Sequence, residues 1–156
     1  MVIALYKKTI SHDYDSMGRK TGISIGTEYS VTYGYDTKGH LDSVTDGNGS
    51  YSYSRVADSN MIGSTTYPNG LKTTKSYESN RNLVDYVENT VSGSTISKYD
   101  YTNDAAGRRI DVVMTGSEFS ADTFNKYGYN NRSEVTSGQK YNGTDTSDTS
   151  DPVTSY

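Results

Sequence analysis

Apolar and polar residues alternate along several short stretches of this chain. The clearest stretch, Tyr29–Tyr35, has an aromatic or apolar residue at every odd position and a polar or small residue at every even position. A period of two is typical of a β-strand with one covered face. Pairs of tyrosines two residues apart project to the same side, where they can stack on rings of neighbouring strands. Such pairs recur at Tyr51/Tyr53, Tyr99/Tyr101 and Tyr127/Tyr129 and predict further strands.

A seven-residue pattern occurs five times at the ends of these stretches. It begins with tyrosine or asparagine, continues with an acid or an amide, and in three copies has glycine at the fifth position. The copies begin at Tyr14, Tyr35, Tyr77, Asn103 and Tyr129, at steps of 21, 42, 26 and 26 residues. Since 42 is twice 21, a degenerate copy is expected near residue 56. The segment Val56–Ile62 fits, with Asn60 at the glycine position, and Tyr53 is an alternative anchor.

The acid and the glycine of this pattern predict a tight reversal of the chain. An aspartate at the start of a turn accepts hydrogen bonds from the backbone two residues on, and glycine adopts a positive φ without a Cβ penalty. Where Arg81 or Ser133 replaces glycine, we expect a more strained or differently shaped turn, whereas Asn60 tolerates left-handed geometry. The residues predicted to form the repeat turns are Tyr14, Asp15, Gly18, Tyr35, Asp36, Gly39, Tyr77, Glu78, Asp104, Gly107, Tyr129 and Asn130.

Each outgoing strand is predicted to end at a second reversal rich in glycine. The segments are Gly47–Gly49, Pro68–Gly70, Ser92–Ser94, Gly116–Ser117 and Ser137–Gly138. About six such units cover residues 1–140, with the degenerate one near residues 51–62, and residues 141–156 are expected to be a polar loop or disordered tail. The predicted fold is all-β, with repeated antiparallel β-hairpins forming a curled sheet.

The composition changes this prediction in one respect and excludes several partners. Tyrosine, with 16 copies, outnumbers every aliphatic residue type, so we expect tyrosine to form the core of a thin wall. The net charge is −4 and the 15 Lys and Arg residues are scattered, which predicts no nucleic-acid partner and no membrane insertion. The short apolar segment Met1–Tyr6 is followed by Lys7 and Lys8, so no signal peptide is predicted in this chain.

Two features resemble sites of chemistry, and neither is interpreted as one. Gly22–Gly26 spells Gly-x-Ser-x-Gly, but a strand is predicted after Ser24 where a hydrolase elbow needs a helix, so Ser24 is interpreted as a turn serine. His12 and His40 are interpreted as polar residues at turn edges, and the absence of cysteine excludes a thiolate zinc site.

Calcium is the remaining candidate ligand. The segment Asp46–Ala57 begins like a calcium loop but departs from it at Tyr51 and Ala57, so a hairpin turn is predicted. Adventitious calcium at Asp145, Asp148 and Asp151 is weakly motivated. No catalytic residue, cofactor or metal site is therefore predicted.

The repeated unit resembles the YD repeat of the Rhs and YD-repeat proteins. Tyr14–Arg19 and Tyr33–Leu41 match closely, and weaker copies extend the resemblance from about residue 10 to about residue 140. Arg81, Asn103 and Ser133 depart from the pattern, which puts only the local turns in question. The resemblance implies a β-sheet ribbon wound into a hollow shell, as in large exported bacterial proteins, polymorphic and insecticidal toxins and animal teneurins.

In the toxins the shell encloses a C-terminal effector, and a cap with Asp-Pro-x-Gly elements closes it. This chain has Asp151-Pro152 without the glycine, so we expect a section of shell without cap or cargo, either a fragment or a short orphan gene. The predicted function is a non-enzymatic structural module, used for encapsulation or surface display in a larger exported protein, outside the cell or on its surface. Expected partners are further YD-repeat units of a parent chain, or self-association through sheet edges. The alternative is a carbohydrate- or receptor-binding surface with exposed tyrosines.

Overall fold

Strands and turns account for nearly all of the described structure. The computed structural model describes residues 8–153, contains no helix in that range, and divides into two units, residues 1–70 and 71–156. The segment Met1–Tyr6 and Thr154 lie outside the described residues. The strands of unit 1 are β1 (Ile10–Tyr14), β2 (Lys20–Ile25), β3 (Tyr29–Tyr35), β4 (Leu41–Asp46), β5 (Gly49–Arg55) and β6 (Ile62–Thr66). Those of unit 2 are β7 (Leu71–Tyr77), β8 (Val84–Val91), β9 (Ser94–Asn103), β10 (Arg109–Thr115), β11 (Thr123–Tyr129) and β12 (Val135–Asn142).

Consecutive antiparallel hairpins build both units. From β1 to β6, and again from β7 to β12, every strand pairs with the next one in the chain. The period of two is visible in β5, where half-buried and exposed residues alternate along the strand. The strand predicted over Tyr29–Tyr35 has the predicted bounds. The prediction of an all-β fold of repeated antiparallel hairpins is therefore confirmed.

A register shift lies just before most of the repeat turns. In two hairpins it falls between Gly34 and Tyr35 and between Gly128 and Tyr129. Bulges bend a strand and increase its twist, so each such hairpin contributes curvature. A Cβ atom on Gly34 would collide with the hydroxyl of Ser43, and Gly128 faces Ser137 in the same way. The sequence Tyr-Gly-Tyr thus marks a close approach of two strands.

Two repeat turns are one residue longer than the other four. The regular turns join paired residues six positions apart, whereas Arg55 pairs with Ile62 and Tyr77 with Val84, seven positions apart. The prediction that Asn60 replaces the glycine is wrong, because the extra residue changes the alignment and Asp58 is the left-handed residue, with φ of 53°.

Two further predictions from the sequence are wrong. Ser137–Gly138 is not a reversal but lies inside β12, where Gly138 pairs with Tyr127. Ser24 is not a turn serine, since it lies in the middle of β2, opposite Ser11 on one side and Ser30 on the other. In both cases the neighbouring strands supply backbone partners that outweigh the local turn preference of Ser and Gly.

The expectation that tyrosine forms the core needs a correction. The buried hydrophobic residues in the described range are Val31, Val112 and Phe124, and only Phe124 is fully buried. Without helices, each unit has no second layer to cover the rings, so most tyrosines are half-buried. The hydroxyl groups of Tyr35 and Tyr129 reach backbone carbonyls at strand ends.

Residues 143–153 form a loop that folds back on the last strand. The backbone N–H of Val153 donates to the carbonyl of Lys140 at 2.9 Å, and Tyr141 forms an isolated bridge with Pro152. Lys126 Nζ donates to the carbonyl of Thr146 at 2.8 Å. The loop therefore covers the outer edge of β12 at its C-terminal end and leaves the end near the repeat turn open.

The turn at Ser133 leads to a stability prediction. Ser133 has φ of 64°, whereas Gly39 and Gly107, at the same turn position, have φ of 86° and 80°. Since a side chain in left-handed geometry costs roughly 1–2 kcal/mol, Ser133→Gly should raise the free energy of unfolding by about 1 kcal/mol. Urea denaturation measures this, with Gly107→Ser as the matched reverse change, expected to destabilise. A lower free energy of unfolding in Ser133→Gly would show that the backbone of Ser133 is not strained.

Candidate functional site

The acid or amide that opens each regular repeat turn is bonded to the backbone of that turn. Asp15 Oδ1 accepts hydrogen bonds from the N–H groups of Met17 and Arg19, both at 2.9 Å. The N–H of Gly18 closes the turn by donating to the carbonyl of Asp15 at 3.0 Å. Asp36, Asp104 and Asn130 accept the same pair of side-chain bonds, from residues two and four positions on.

The second carboxylate oxygen binds the basic residue that follows the glycine. Arg19 Nε lies 2.7 Å from Asp15 Oδ2, and Arg108 Nε lies 2.7 Å from Asp104 Oδ2. The guanidinium of Arg19, followed by its backbone N–H, lowers the pKa of Asp15. For Asp104 the backbone N–H of Arg108 is the largest cause of a lowered pKa, followed by the guanidinium. Both acids are therefore held in the charged form.

The arginines also connect each turn to the next one. The Arg19 guanidinium lies over the Tyr35 ring, 4.4 Å from its centroid, and the Tyr35 hydroxyl donates to the Lys20 carbonyl at 2.7 Å. A cation over an aromatic face is attracted by the ring quadrupole. The turn at Asp15 is thus tied to the turn at Asp36 by both side chains.

Unit 2 repeats this arrangement with different residues. The Arg108 guanidinium lies 4.9 Å from the Tyr129 ring centroid and donates to the carbonyl of Asn130 at 3.2 Å. The Tyr129 hydroxyl donates to the carbonyl of Arg109 at 2.7 Å. We call this pairing of a guanidinium and a tyrosine between successive turns the clasp; its members are Arg19 with Tyr35 and Arg108 with Tyr129.

Between two other pairs of successive turns the hydrogen bond of the clasp is kept and its ring is lost. In place of tyrosine, Arg55 Nη1 donates to the carbonyl of Leu41 at 3.0 Å. Asn103 Nδ2 donates to Glu78 Oε1 at 2.9 Å and lies 3.5 Å from the carbonyl of Val84. The bond from Asn103 is the largest cause of the lowered pKa of Glu78, followed by the bond from Arg81.

The carbonyl that accepts the hydrogen bond has the same position in all four of these contacts. Lys20, Leu41, Val84 and Arg109 are each the first residue of the strand that leaves a repeat turn. The ladder with the following strand begins two residues later, at Gly22, Ser43, Tyr86 and Asp111. An unpaired backbone carbonyl at a half-covered site is costly, and a side chain from the next turn supplies its donor.

The acidic segments that resemble calcium sites are bonded within their own turns. Among residues 8–153 no three His, Asp or Glu side chains are placed to hold a metal ion. Asp46 Oδ1 accepts from the N–H of Asn48 at 2.8 Å, as in a hairpin turn, and Asp145 and Asp148 are bonded to Ser147 and Ser150. Within the same range no helix is long and apolar enough to cross a bilayer.

The role of the arginines was not predicted from the sequence. In the repeat pattern Arg19 and Arg108 directly follow the glycine, and His40 stands at the same position. No contact of these residues was predicted. The signal was available in the recurrence of a basic residue at a fixed position before a tyrosine-ended strand. His40 Nδ1 lies 3.1 Å from Asp36 Oδ2, and the next turn has Arg55 where a ring would stand.

Comparison with solved structures identifies the same fold in Tc toxin proteins. The crystal structure of TcdB2-TccC3 matches with a TM-score of 0.69 and 16% identity, over 85% of this chain and 7% of that one. The TcdB2-TccC3-TEV structure matches with a TM-score of 0.56, 14% identity and coverages of 86% and 9%. The Tc holotoxin pore of Photorhabdus luminescens matches with a TM-score of 0.56, 13% identity and coverages of 85% and 9%.

These matches confirm at the level of the fold what the resemblance to the YD-repeat family implied. This chain spans less than a tenth of the length of each of the three solved chains. No protein-family model matches the sequence, and no curated protein matches it significantly.

The clasp hydroxyl groups lead to a second prediction. Tyr35→Phe or Tyr129→Phe leaves the carbonyl of Lys20 or Arg109 without its donor and should lower the free energy of unfolding by about 1 kcal/mol. Chemical denaturation of each variant measures the loss. Tyr53→Phe is the matched control, because its hydroxyl has no hydrogen-bond partner in the described part of the chain. Equal stabilities of all three variants would refute the clasp.

The bound acids predict how stability depends on pH. Because the pKa of Asp104 is lowered in the folded state, its contribution is complete above the ordinary value of about 4 and is lost as pH falls through the folded-state value. Asp104→Asn keeps the backbone bonds, as Asn130 does naturally, but takes up no proton. This variant should be less stable at neutral pH and should lose stability less steeply below about pH 5.

Urea midpoints between about pH 7 and about pH 2 measure this slope. Asn130→Asp is the complementary variant, and its unfolding should become more dependent on pH. An acid slope identical to that of the unchanged protein in both variants would show that these turns do not contribute to the acid sensitivity.

Proposed function

We propose that this chain is a non-enzymatic structural module, a section of a YD-repeat shell in a larger exported protein. One observation carries the proposal. At every joint, meaning the place within a unit where two successive repeat turns meet, a side chain of one turn is bonded to the strand that leaves the turn before it. A contact that recurs at every joint supports a wall that extends by adding hairpins, since each repeat is stabilised by its neighbours.

Encapsulation or surface display, in a protein located outside the cell, is the role that we propose for such a wall. The support is the fold shared with the TcdB2-TccC3 and Tc holotoxin structures. The repeat acids also serve the wall, because Asp15, Asp36 and Asp104 are occupied by backbone and side-chain donors of their own turns. Each of these acids is thus engaged in its own turn, which supports a role without catalysis.

A binding surface is the second candidate, and one pocket favours it. In unit 1 a cavity of about 320 Å³ is lined by Asn48, Tyr51, Tyr67, Pro68 and Asn69. The rings of Tyr51 and Tyr67 meet edge to face with centroids 6.0 Å apart. An aromatic face can stack on a sugar ring, and neighbouring amide groups can form hydrogen bonds with the sugar hydroxyls. In each of the other pairs one tyrosine is engaged by a cation of the chain itself: Tyr35 by Arg19, Tyr101 by Arg109 and Tyr129 by Arg108.

Hydrogen exchange of the full chain distinguishes the two functions. If the clasp supports the next repeat, Arg108→Ala should accelerate amide exchange in residues 123–135 and leave residues 84–91 unchanged. Arg132→Ala is the matched control, since Arg132 lies in the turn that the Arg108 side chain reaches, but its own side chain is 82% exposed and outside the clasp. If the acceleration of amide exchange in Arg108→Ala were confined to the turn that carries Arg108, it would contradict a wall of mutually supporting repeats.

Glycan-array binding provides the opposing result. Binding that disappears in Tyr51→Ala and persists in Arg108→Ala would favour the second candidate over the structural module.

A further inference from the structure

Within residues 8–153, Arg55 is the one arginine whose guanidinium has neither an acid nor an aromatic ring as partner. Arg109 lies over a tyrosine ring, and the others pair with acids; these are Arg19, Arg81, Arg108 and Arg132. Arg55 takes the place that tyrosine has in the clasp, and Val56 takes the place of the acid in the repeat pattern. The degenerate turn therefore lacks the carboxylate that the regular turns hold at this position.

The part of Arg55 without a partner is the edge of the guanidinium that binds acids elsewhere in the chain. Its Nη1 donates to the carbonyl of Leu41 at 3.0 Å. Its Nε is buried, and no group of residues 8–153 accepts a hydrogen bond from it. In Arg108 the Nε and Nη2 atoms lie 2.7 and 2.6 Å from one oxygen of Asp104. A buried N–H donor without an acceptor is costly, so the same edge of Arg55 favours an oxygen ligand.

A gap between two repeat turns of unit 1 lies beside this arginine. A cavity of about 210 Å³ is lined by residues of both turns, among them Lys38, His40 and Arg55. A second cavity of about 260 Å³ shares Lys38 and His40 with the first. Since one water takes about 30 Å³ in the liquid, the gap has room for an ion with several oxygen atoms. It is distinct from the tyrosine cavity described above, which lies at the glycine turns.

The two acids that line this gap are engaged by other groups. Asp36 Oδ1 accepts from the backbone N–H groups of Lys38 and His40, at 2.9 and 2.8 Å, and its Oδ2 lies 3.1 Å from His40 Nδ1. The side chain of Asp58 is 95% exposed and pairs with Lys38 Nζ at 3.3 Å. The charge left without a counterion in the gap is that of Arg55. A partly buried cation of this kind favours an anion beside it.

We propose that the gap between the turns at Asp36 and Val56 binds a small tetrahedral oxyanion, sulfate or phosphate, on the Nε and Nη2 edge of Arg55. This edge presents two parallel N–H donors, which match two oxygens of such an ion. When the His40 ring is protonated, its Nε2 adds a further donor, and Lys38 adds positive charge on the solvent side. The ion takes the part that a carboxylate of the chain plays for the other paired arginines.

An NMR titration of the full chain with sodium sulfate tests the proposal through the Nε–H resonance of Arg55, which is assigned from its absence in Arg55→Lys. This resonance should shift saturably with sulfate and with inorganic phosphate. Sodium chloride at the same ionic strength should shift it at least about tenfold less, because a single spherical ion cannot accept from both donors as an oxyanion does. The Nε–H resonances of Arg19 and Arg108, which already donate to carboxylates, are internal controls and should not move.

Two variants at position 56 separate this site from a general effect of salt. Val56→Asp places a carboxylate beside the gap and should weaken sulfate binding at least about tenfold. Val56→Asn has the same shape without the charge and should keep the affinity within about twofold. Both fit the fold, since the other turns have an acid or asparagine at this place. The proposal is overturned if the Arg55 resonance does not saturate, if it moves in step with those of Arg19 and Arg108, or if both variants bind sulfate equally.

Discussion

The hydrogen bond from each strand-final side chain to the first carbonyl of the preceding outgoing strand is the contact on which this fold depends. Strands separate where they leave a repeat turn, so one carbonyl at each joint is out of reach of the backbone ladder. Three kinds of donor reach that carbonyl: the hydroxyl of Tyr35 or Tyr129, the guanidinium of Arg55 and the side-chain amide of Asn103. What the array preserves is therefore the bond, and the residue that makes it varies.

This bond matters more here than in a layered protein because there is little core to compensate for it. Phe124 alone is fully buried among the described residues. Hydrophobic burial is nondirectional and tolerates a slip of strands, whereas a bond to one specific carbonyl does not. A one-residue slip would carry Tyr35 away from both the Arg19 guanidinium and the Lys20 carbonyl. The clasp therefore fixes register in a sheet whose faces are too polar to fix it.

The sequence was sufficient to predict the architecture because the repeat encodes it locally. Alternation defines a strand such as Tyr29–Tyr35, and Asp36 with Gly39 defines a turn, without reference to distant residues. The failures share a physical cause, which is that pairing partners lie in other strands. Gly138 is in a strand because Tyr127 faces it, and Asp58 takes the left-handed place because its turn has one residue more. The clasp was missed for the same reason, since Arg19 and Tyr35 meet only once β2 and β3 pair.

The variation among joints has a consequence for how such an array is ordered. Arg19 and Tyr35 make a joint that combines a ring contact with a hydrogen bond, whereas Arg55 makes a hydrogen bond to the Leu41 carbonyl without a ring. Joints of unequal strength open in sequence when a repeat array is loaded or heated, because each repeat depends mainly on its neighbours.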